Sequence, residues 1–254
     1  MLREERLERI EEYVNLNRYV SLDDLKERFG ISRSTIRRDL DYLIESNRIA
    51  ATRGGASTVN RGTKFEPSYL EKVKLNFDEK RRIAKAAVDH ISPGDTIFLD
   101  SGTTATQMTE FISGISEVYV ATNDLMTATA LISCPNVALT VIGGDIRKGF
   151  YTTYGHFAAS VLENYHFDKA FLCVDAFSIQ HGAMITNTDE VDVKRAIVKA
   201  SSEVIVLCDH TKFGRNAFVS VCPPSLIDHV ITGTELSADQ HRSILDNDIS
   251  IELA

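Results

Sequence analysis

The apolar positions between residues 31 and 46 fall at helical spacing. Ile36, Leu40, Leu43 and Ile44 stand at i, i+4, i+7 and i+8 and form one stripe. Ser34 and Arg38 point away from that stripe, and Thr35 and Arg37 flank it. Ser32 is placed to cap the helix, since its hydroxyl can accept from a free N–H of the first turn. Taken alone, the stretch is also what a solvated amphipathic helix looks like; its neighbours separate the two readings. Ser21-Leu22-Asp23-Asp24 has the pattern of a capping box, and Leu22, Leu25 and Phe29 make a second short stripe. Gly30 suits a left-handed C-cap, so two helices joined by a tight turn are predicted. Leu7, Ile10 and Val14 mark a supporting helix from about Arg3 to Asn15, and Arg48-Ile49-Ala50 with Ala56-Ser57-Thr58-Val59 flank Arg53-Gly54-Gly55 as a small hairpin. Residues 1–59 therefore predict a winged helix-turn-helix. The groups offered to a DNA groove are Ser32, Arg33, Ser34, Thr35, Arg37 and Arg38, with Arg53 on the wing.

Residues 60–76 lack clean periodicity, and Arg61-Gly62-Thr63 with Pro67 predicts a linker. From residue 77 onward the pattern changes. A helix is expected over Asp78 to Ile91, with Ile83, Ala84, Ala87 and Val88 inward. Short apolar runs then alternate with helical segments: Thr96–Leu99, Val118–Ala121, Val137–Ile142, Ala170–Val174, Val204–Cys208, His229–Thr232 and a weaker Ile249–Leu253. Runs that are apolar throughout are what strands of a parallel sheet covered on both faces require. The fold class is α/β, with residues 77–254 as one larger parallel-sheet domain.

Composition narrows the setting. At 254 residues, 43% hydrophobic and 25% charged, the chain has the make-up of a soluble globular protein. No apolar run approaches the ~20 residues of a membrane span, so no membrane partner is expected and the cytoplasm is the expected location. Cys134, Cys173, Cys208 and Cys222 show no C-x-x-C spacing, and Cys173 and Cys208 fall inside apolar runs, as buried thiols do. The net charge of −8 argues at first against nucleic acid, but its distribution does not. From Arg28 to Arg61 seven Arg face three carboxylates, a local net of +4, while residues 62–254 carry −9.

Candidate chemistry collects after the strands. Leu99 runs into Asp100-Ser101-Gly102-Thr103-Thr104, Ala121 into Thr122-Asn123-Asp124, and Ile142 into Gly143-Gly144-Asp145 with Arg147 close behind. Val174 is followed by Asp175, and Cys208 by Asp209-His210-Thr211-Lys212. Ligands of open α/β sheets bind beyond the carboxyl ends of the strands, so a polar crevice is expected there. The Asp100 loop offers N–H groups, hydroxyls and a helix dipole to an anion, with Asp100 itself suited to sugar hydroxyls and Lys212 to a phosphate. It matches neither the P-loop nor the dinucleotide fingerprint, so no nucleotide cofactor is indicated. Asp209-His210 has no second His or carboxylate at ligand spacing, and no metal is indicated.

Two sets of residues resemble a known family. Ile31-Ser32, Ser34-Thr35-Ile36-Arg37-Arg38-Asp39-Leu40 and Gly54-Gly55-Ala56 resemble the N-terminal signature of DeoR-family bacterial transcriptional regulators. Asp-Ser-Gly-Thr-Thr at 100–104, Thr122-Asn123, Gly143-Gly144, Asp175, Glu190 with Lys194-Arg195, and Asp209 to Gly214 are similar to the family's sensor domain. The resemblance implies a sensor fold like that of ribose-5-phosphate isomerase and an effector that is a phosphorylated sugar. By position it implies Asp100, Ser101, Gly102, Thr103, Thr104, Asn123, Asp175, Glu190, Asp209 and Lys212 as effector contacts. Two departures stand out. The family carries a basic residue and then a His ahead of Gly-Gly-Ala, where this chain has Ala51 and Arg53. It also carries Gly-Ile after the strand Asp, where Ala176-Phe177 here are expected to alter the pocket wall.

The reading is a repressor of a carbohydrate-catabolism operon, bound to double-stranded operator DNA as a homo-oligomer and released by a sugar phosphate. The rival class is an isomerase or transferase with an accessory DNA-binding domain, in which Asp175, Glu190 and Lys212 would serve as acid/base groups. The helix-turn-helix separates the two, because catalysis has no use for it, and no enzymatic activity is expected.

Overall fold

A computed structural model describes residues 3–17, 19–46, 48–58 and 62–254. The chain divides into two compact units after Gly62.

The first unit holds three helices, Arg3–Asn17, Leu22–Phe29 and Arg33–Glu45, and a three-stranded sheet of Tyr19–Ser21, Gly55–Thr58 and Ile49–Thr52. Leu7, Ile10, Val14, Leu25, Ile36, Leu40 and Leu43 share one core, so the apolar stripes of all three helices meet. The expected caps are present. Ser21 Oγ accepts from Asp24 N while Asp24 accepts from Ser21 N, and Gly30 sits at φ 63. The hairpin turns on Arg53-Gly54, with Gly54 at φ 94, and Gly55 belongs to the strand. A Cβ on Gly55 would lie 1.9 Å from the Val20 carbonyl oxygen. Only glycine lets Gly55–Thr58 approach Tyr19–Ser21, a third strand that the apolar pattern did not announce. Val59 and residues 60 and 61 of the expected wing and linker lie outside the described residues.

The second unit is built on seven parallel strands. Their spatial order is Ile251–Leu253, His229–Thr232, Ser201–Leu207, Phe167–Cys173, Thr96–Leu99, Val118–Thr122 and Val137–Val141. Alternation along each strand feeds two cores. Ile97, Leu99, Phe171, Ile205 and Ile231 face helices Phe77–Asp89 and Thr103–Ile112. Phe98, Ala170, Leu172, Val204 and Val206 face the opposite layer, which includes Val191–Lys199. That two-sided burial is why the strands read as unbroken apolar runs.

Most of the segment expected as a linker is ordered structure of the second unit. Residues 63–76 include the helix Tyr69–Lys74, capped by Ser68, whose Oγ accepts from Glu71 N while Glu71 Oε2 accepts from Ser68 N at 2.8 Å. The two compact units thus divide after Gly62, within the segment expected as a linker.

Asp39 is buried on the third helix, where its oxygens accept from Arg6 Nε at 2.6 Å and Nη2 at 3.2 Å. This bidentate pair ties the third helix to the first. Charge-assisted hydrogen bonds of this kind contribute about 1.5–3 kcal/mol. We predict that Asp39→Ala lowers the stability of the first unit by about that amount, read as faster amide hydrogen exchange along Arg33–Glu45. Unchanged protection would show that the apolar stripe alone fixes the helix.

Candidate functional site

The outward face of Arg33–Glu45 is polar and free. Ser32, Arg33, Ser34, Arg37, Arg38 and Arg53 are exposed, and Thr35 is half-buried. Ser32 caps the helix by accepting from Thr35 N at 3.2 Å, and its Oγ lies 2.9 Å from both Ser34 Oγ and Thr35 Oγ1. Arg33 leans toward Asp23 at 3.4 Å. Arg37 and Arg38 have no ionic partner among the described residues. Two guanidiniums and three hydroxyls on the first two turns of a helix are the groups that meet phosphates and base edges in a major groove.

In the second unit a cleft open to solvent, with a cavity volume of about 60 Å³, lies at the carboxyl ends of the strands. Ser101, Gly102, Thr103, Thr104, Asp175, Glu190 and Lys212 line it, as the strand-end pattern led one to expect. Glu66, Lys72 and Lys80 line it too, and sequence reasoning missed all three; Lys194, which the family resemblance marked without a role, lines it as well. A Cβ on Gly102 would come within 2.6 Å of the Cys173 Sγ, so glycine is required for the loop to lie against the neighbouring strand end.

Several expected contacts lie beneath the lining and hold it. Asp100 is fully buried; it accepts from Ser101 N at 2.8 Å and Cys173 N at 3.0 Å and pairs with the Lys194 ammonium. It has no oxygen left for a sugar hydroxyl. Asn123 Oδ1 accepts from Ser101 N at 3.1 Å while its Nδ2 donates to Thr152 Oγ1 and the Thr153 carbonyl. Asp209 accepts from Asn76 Nδ2 at 2.9 Å and lies 3.7 Å from the Lys212 ammonium. Gly143 and Gly144 do not line the cleft. Gly144 packs against Tyr154 and Ala158, where a Cβ would sit 2.5 Å from the Tyr154 oxygen. Ala176 and Phe177, where an altered pocket wall was expected, are buried in the core, Phe177 edge-on to Phe213 at 5.5 Å, and neither lines the cleft.

An ionic chain crosses the mouth of the cleft. Lys72 donates to Glu66 at 2.7 Å and Asp175 at 2.9 Å, and Arg147 bridges Glu66 and Glu190 while stacking on Phe150. Burial opposes the charge on Lys72, but Asp175 and Glu66 outweigh it and hold its pKa above the usual value. Burial likewise opposes ionisation of Asp175, and Lys72 and Lys212 reverse that, leaving its carboxyl well below the usual range. For Glu190 burial prevails and its pKa is raised. Lys80 differs from the others. It is 3% exposed, donates to the Lys72 carbonyl and to Thr103 Oγ1 at 3.1 Å, and touches no carboxylate among the described residues. Burial pulls its pKa down to about 8. The Cys173 thiol is pushed up to about 12 by burial and by Asp100, so it is no nucleophile at neutral pH.

Residues 6–61 match the model of the DeoR-like helix-turn-helix domain, and residues 75–234 match the DeoR C terminal sensor domain. The chain belongs to the DeoR family. Among curated DeoR-type regulators, it is 35% identical over 236 residues to the protein named for repression of the aga operon in Escherichia coli O157:H7, covering 92% of this chain and 88% of that one. It is 30% identical to the glycerol-3-phosphate regulon repressor of Escherichia coli K12, covering 95% of each. It is also 30% identical to the HTH-type transcriptional regulator GolR of Listeria innocua, covering 98% of each. Ribose 5-phosphate isomerase A of Methanocaldococcus jannaschii superposes with a TM-score of 0.41 at 18% identity, over 54% of this chain and 55% of that one. Among the described residues no helix is long and apolar enough to cross a membrane.

The Lys194–Asp100 pair generates a prediction for this DeoR-family sensor. Both side chains are almost wholly buried, and burial opposes charge on Lys194 until Asp100 and Glu190 raise its pKa above the ordinary value. Removing one partner of a buried pair costs about 3–5 kcal/mol. Lys194→Met should lower the urea midpoint accordingly, and adding Asp100→Asn should recover part of the loss. A single variant as stable as the parent would show that the Lys194–Asp100 pair contributes nothing to the fold.

Proposed function

We propose that this chain is a DNA-binding repressor of a carbohydrate-catabolism operon, and that a phosphorylated sugar entering the cleft releases it from its operator. The observation that carries the reading is Lys80. Its buried ammonium, in contact with no carboxylate among the described residues, faces the Thr103 hydroxyl and the start of the helix Thr103–Ile112, whose first N–H groups and dipole also favour an anion. A phosphoryl group in that corner would meet Lys80, the helix N-terminus and Thr103 and Thr104. The sugar hydroxyls would then face Asp175, Glu190 and Arg147, and Lys212 would lie on the phosphate side. The names of the relatives support control of transcription, and one of them is named for a glycerol-3-phosphate regulon. Nothing in the cleft calls for turnover: the carboxylates are committed to cations and the thiol is inert.

Release follows from Glu66. Its carboxylate takes up Lys72 and Arg147 inside the cleft, as the anion of a ligand would. A sugar phosphate competes with it. The Glu66 segment runs back to residue 62, where the DNA-binding unit ends, so displacing Glu66 changes the connection between the units.

Arg38→Ala should weaken operator binding by about 1–3 kcal/mol if the guanidinium reads a base, and affinity should fall steeply with salt. A folded variant with parental affinity would remove the groove assignment. Lys80 supplies a pH test. Its folded pKa of about 8 lies below the ordinary 10.5, so the group is charged below 8 and neutral above. Binding a phosphate requires the charged form. Affinity for pentose and hexose phosphates, measured by calorimetry, should be greatest between about pH 6, where phosphate becomes a dianion, and pH 8. It should then fall by up to about tenfold per unit as pH rises further. Lys80→Arg should flatten that decline, and an unchanged profile would place the phosphate elsewhere.

A further inference from the structure

At the opposite ends of the strands from the cleft, three side chains converge that sequence spacing does not connect. His90 caps the helix Phe77–Asp89, His229 opens the strand His229–Thr232, and Glu252 sits in the edge strand Ile251–Leu253. The register explains the meeting. Ile231 pairs with Glu252 in parallel strands, and His229 lies two residues before Ile231, so all three share a face. Ile231 packs in the core beneath Phe77–Asp89, which brings the end of that helix, and His90 with it, over the same face. His90 Nε2 is 2.8 Å from Glu252 Oε2, and His229 Nε2 is 3.5 Å from the same oxygen. The three donor atoms lie within 4.8 Å of one another, and the imidazole centroids are 5.0 Å apart.

One atom in this group is unexplained by protein contacts. His229 Nε2 is buried and makes no hydrogen bond, although a carboxylate oxygen is close by. Its other nitrogen, Nδ1, is 2.7 Å from Ser250 Oγ. When Nδ1 donates to the Ser250 hydroxyl, Nε2 carries a bare lone pair, the arrangement in which a histidine serves as a metal ligand. A lone pair beside a carboxylate repels it unless a cation stands between them.

We propose that His90, His229 and Glu252 form a binding site for a divalent late transition-metal ion, with zinc the ion that the donor set fits best. Two imidazoles and one carboxylate are borderline ligands that suit zinc over magnesium or calcium, which take oxygen alone. Tetrahedral ligand bonds of about 2.0–2.1 Å set the donor atoms about 3.3 Å apart, so the His90–Glu252 contact of 2.8 Å opens and the His229–Glu252 contact of 3.5 Å closes slightly around the ion. The side chains are partly exposed, so the ion enters from solvent and a water completes the fourth position. Bound there, the metal clips the edge strand Ile251–Leu253 to the helix Phe77–Asp89 and to its neighbouring strand. It is independent of the sugar-phosphate reading.

The test is calorimetric titration of the untagged, chelator-treated full chain with Zn²⁺, with Co²⁺ as a spectroscopic probe. One Zn²⁺ should bind per chain with micromolar or tighter affinity, and Co²⁺ should give the visible bands of a four-coordinate site. His229→Ala and His90→Ala should each weaken Zn²⁺ by at least tenfold, while His210→Ala leaves it unchanged. His210 pairs with Glu79 near Glu235 in a separate group, so it serves as the control. Absence of binding at millimolar Zn²⁺, binding unaffected by both variants, or loss of binding in His210→Ala would each overturn the proposal.

Discussion

A carboxylate buried at the end of the strand Thr96–Leu99 sets the shape of the sensor unit. Asp100 lies beneath the cleft with no exposure, and every oxygen it has is taken by the Ser101 and Cys173 amides and by Lys194. An unpaired charge in that position would cost several kcal/mol, so Lys194 must come to it from the helix Val191–Lys199. Bringing Lys194 in brings Glu190 to the cleft wall, and Glu190 draws Arg147 across from the hairpin Asp145–Arg147 and Thr152–Tyr154. The loop bound to Asp100 is thereby held as a helix N-terminus, with Thr103 half-buried at the cleft and Thr104 buried in its lining. One charge beneath the floor thus determines which groups reach the surface.

The charges in and around the cleft cancel. Lys72, Lys80, Lys194 and Lys212 in its lining, with Arg147 beside it, are matched by Glu66, Asp175 and Glu190 in the lining and by Asp100 and Asp209 beneath it, five of each sign. Glu66 and Lys72 arrive on the segment that opens the second unit, outside the sheet framework, and Glu66 lies four residues after the first unit ends at Gly62. Without Glu66 the cleft carries an excess cation in a poorly solvated place, which a phosphate dianion would more than satisfy. An internal carboxylate and an external phosphate are therefore alternatives for the same cations. On the proposed function, their exchange is the means by which a small molecule would act on the chain that leads to the DNA-binding helices.

Much of this was legible from residue order. The helix-turn-helix declared itself through stripes and caps that are local, and parallel strands declared themselves through runs such as Val204–Cys208 that are apolar on both faces. Residues that depend on distant partners were not legible. Asp100, Asn123 and Asp209 stand at strand ends as ligand residues do, yet their atoms are consumed by neighbours that only the fold brings near. Lys80 and Lys194 sit on amphipathic helices where lysine is ordinarily solvated, and nothing nearby in sequence marks them as buried. The signal for the helix Tyr69–Lys74 was present as Ser68-Tyr69-Leu70-Glu71, the same box as Ser21 to Asp24, but its apolar stripe is too short to have period. Missing it turned the Glu66 segment into a linker and hid its place in the cleft.

The central claim is that Glu66 and the effector compete for Lys72 and Arg147. Calorimetry of a sugar phosphate that binds the parent, repeated on Glu66→Gln, tests this most directly. Neutralising the internal anion should tighten binding by about 5-fold or more, and operator release should occur at correspondingly lower ligand concentration, because the coupling is reciprocal. Equal or weaker affinity in the folded variant would contradict the account, since Glu66 would then be supporting the ligand or standing apart from it.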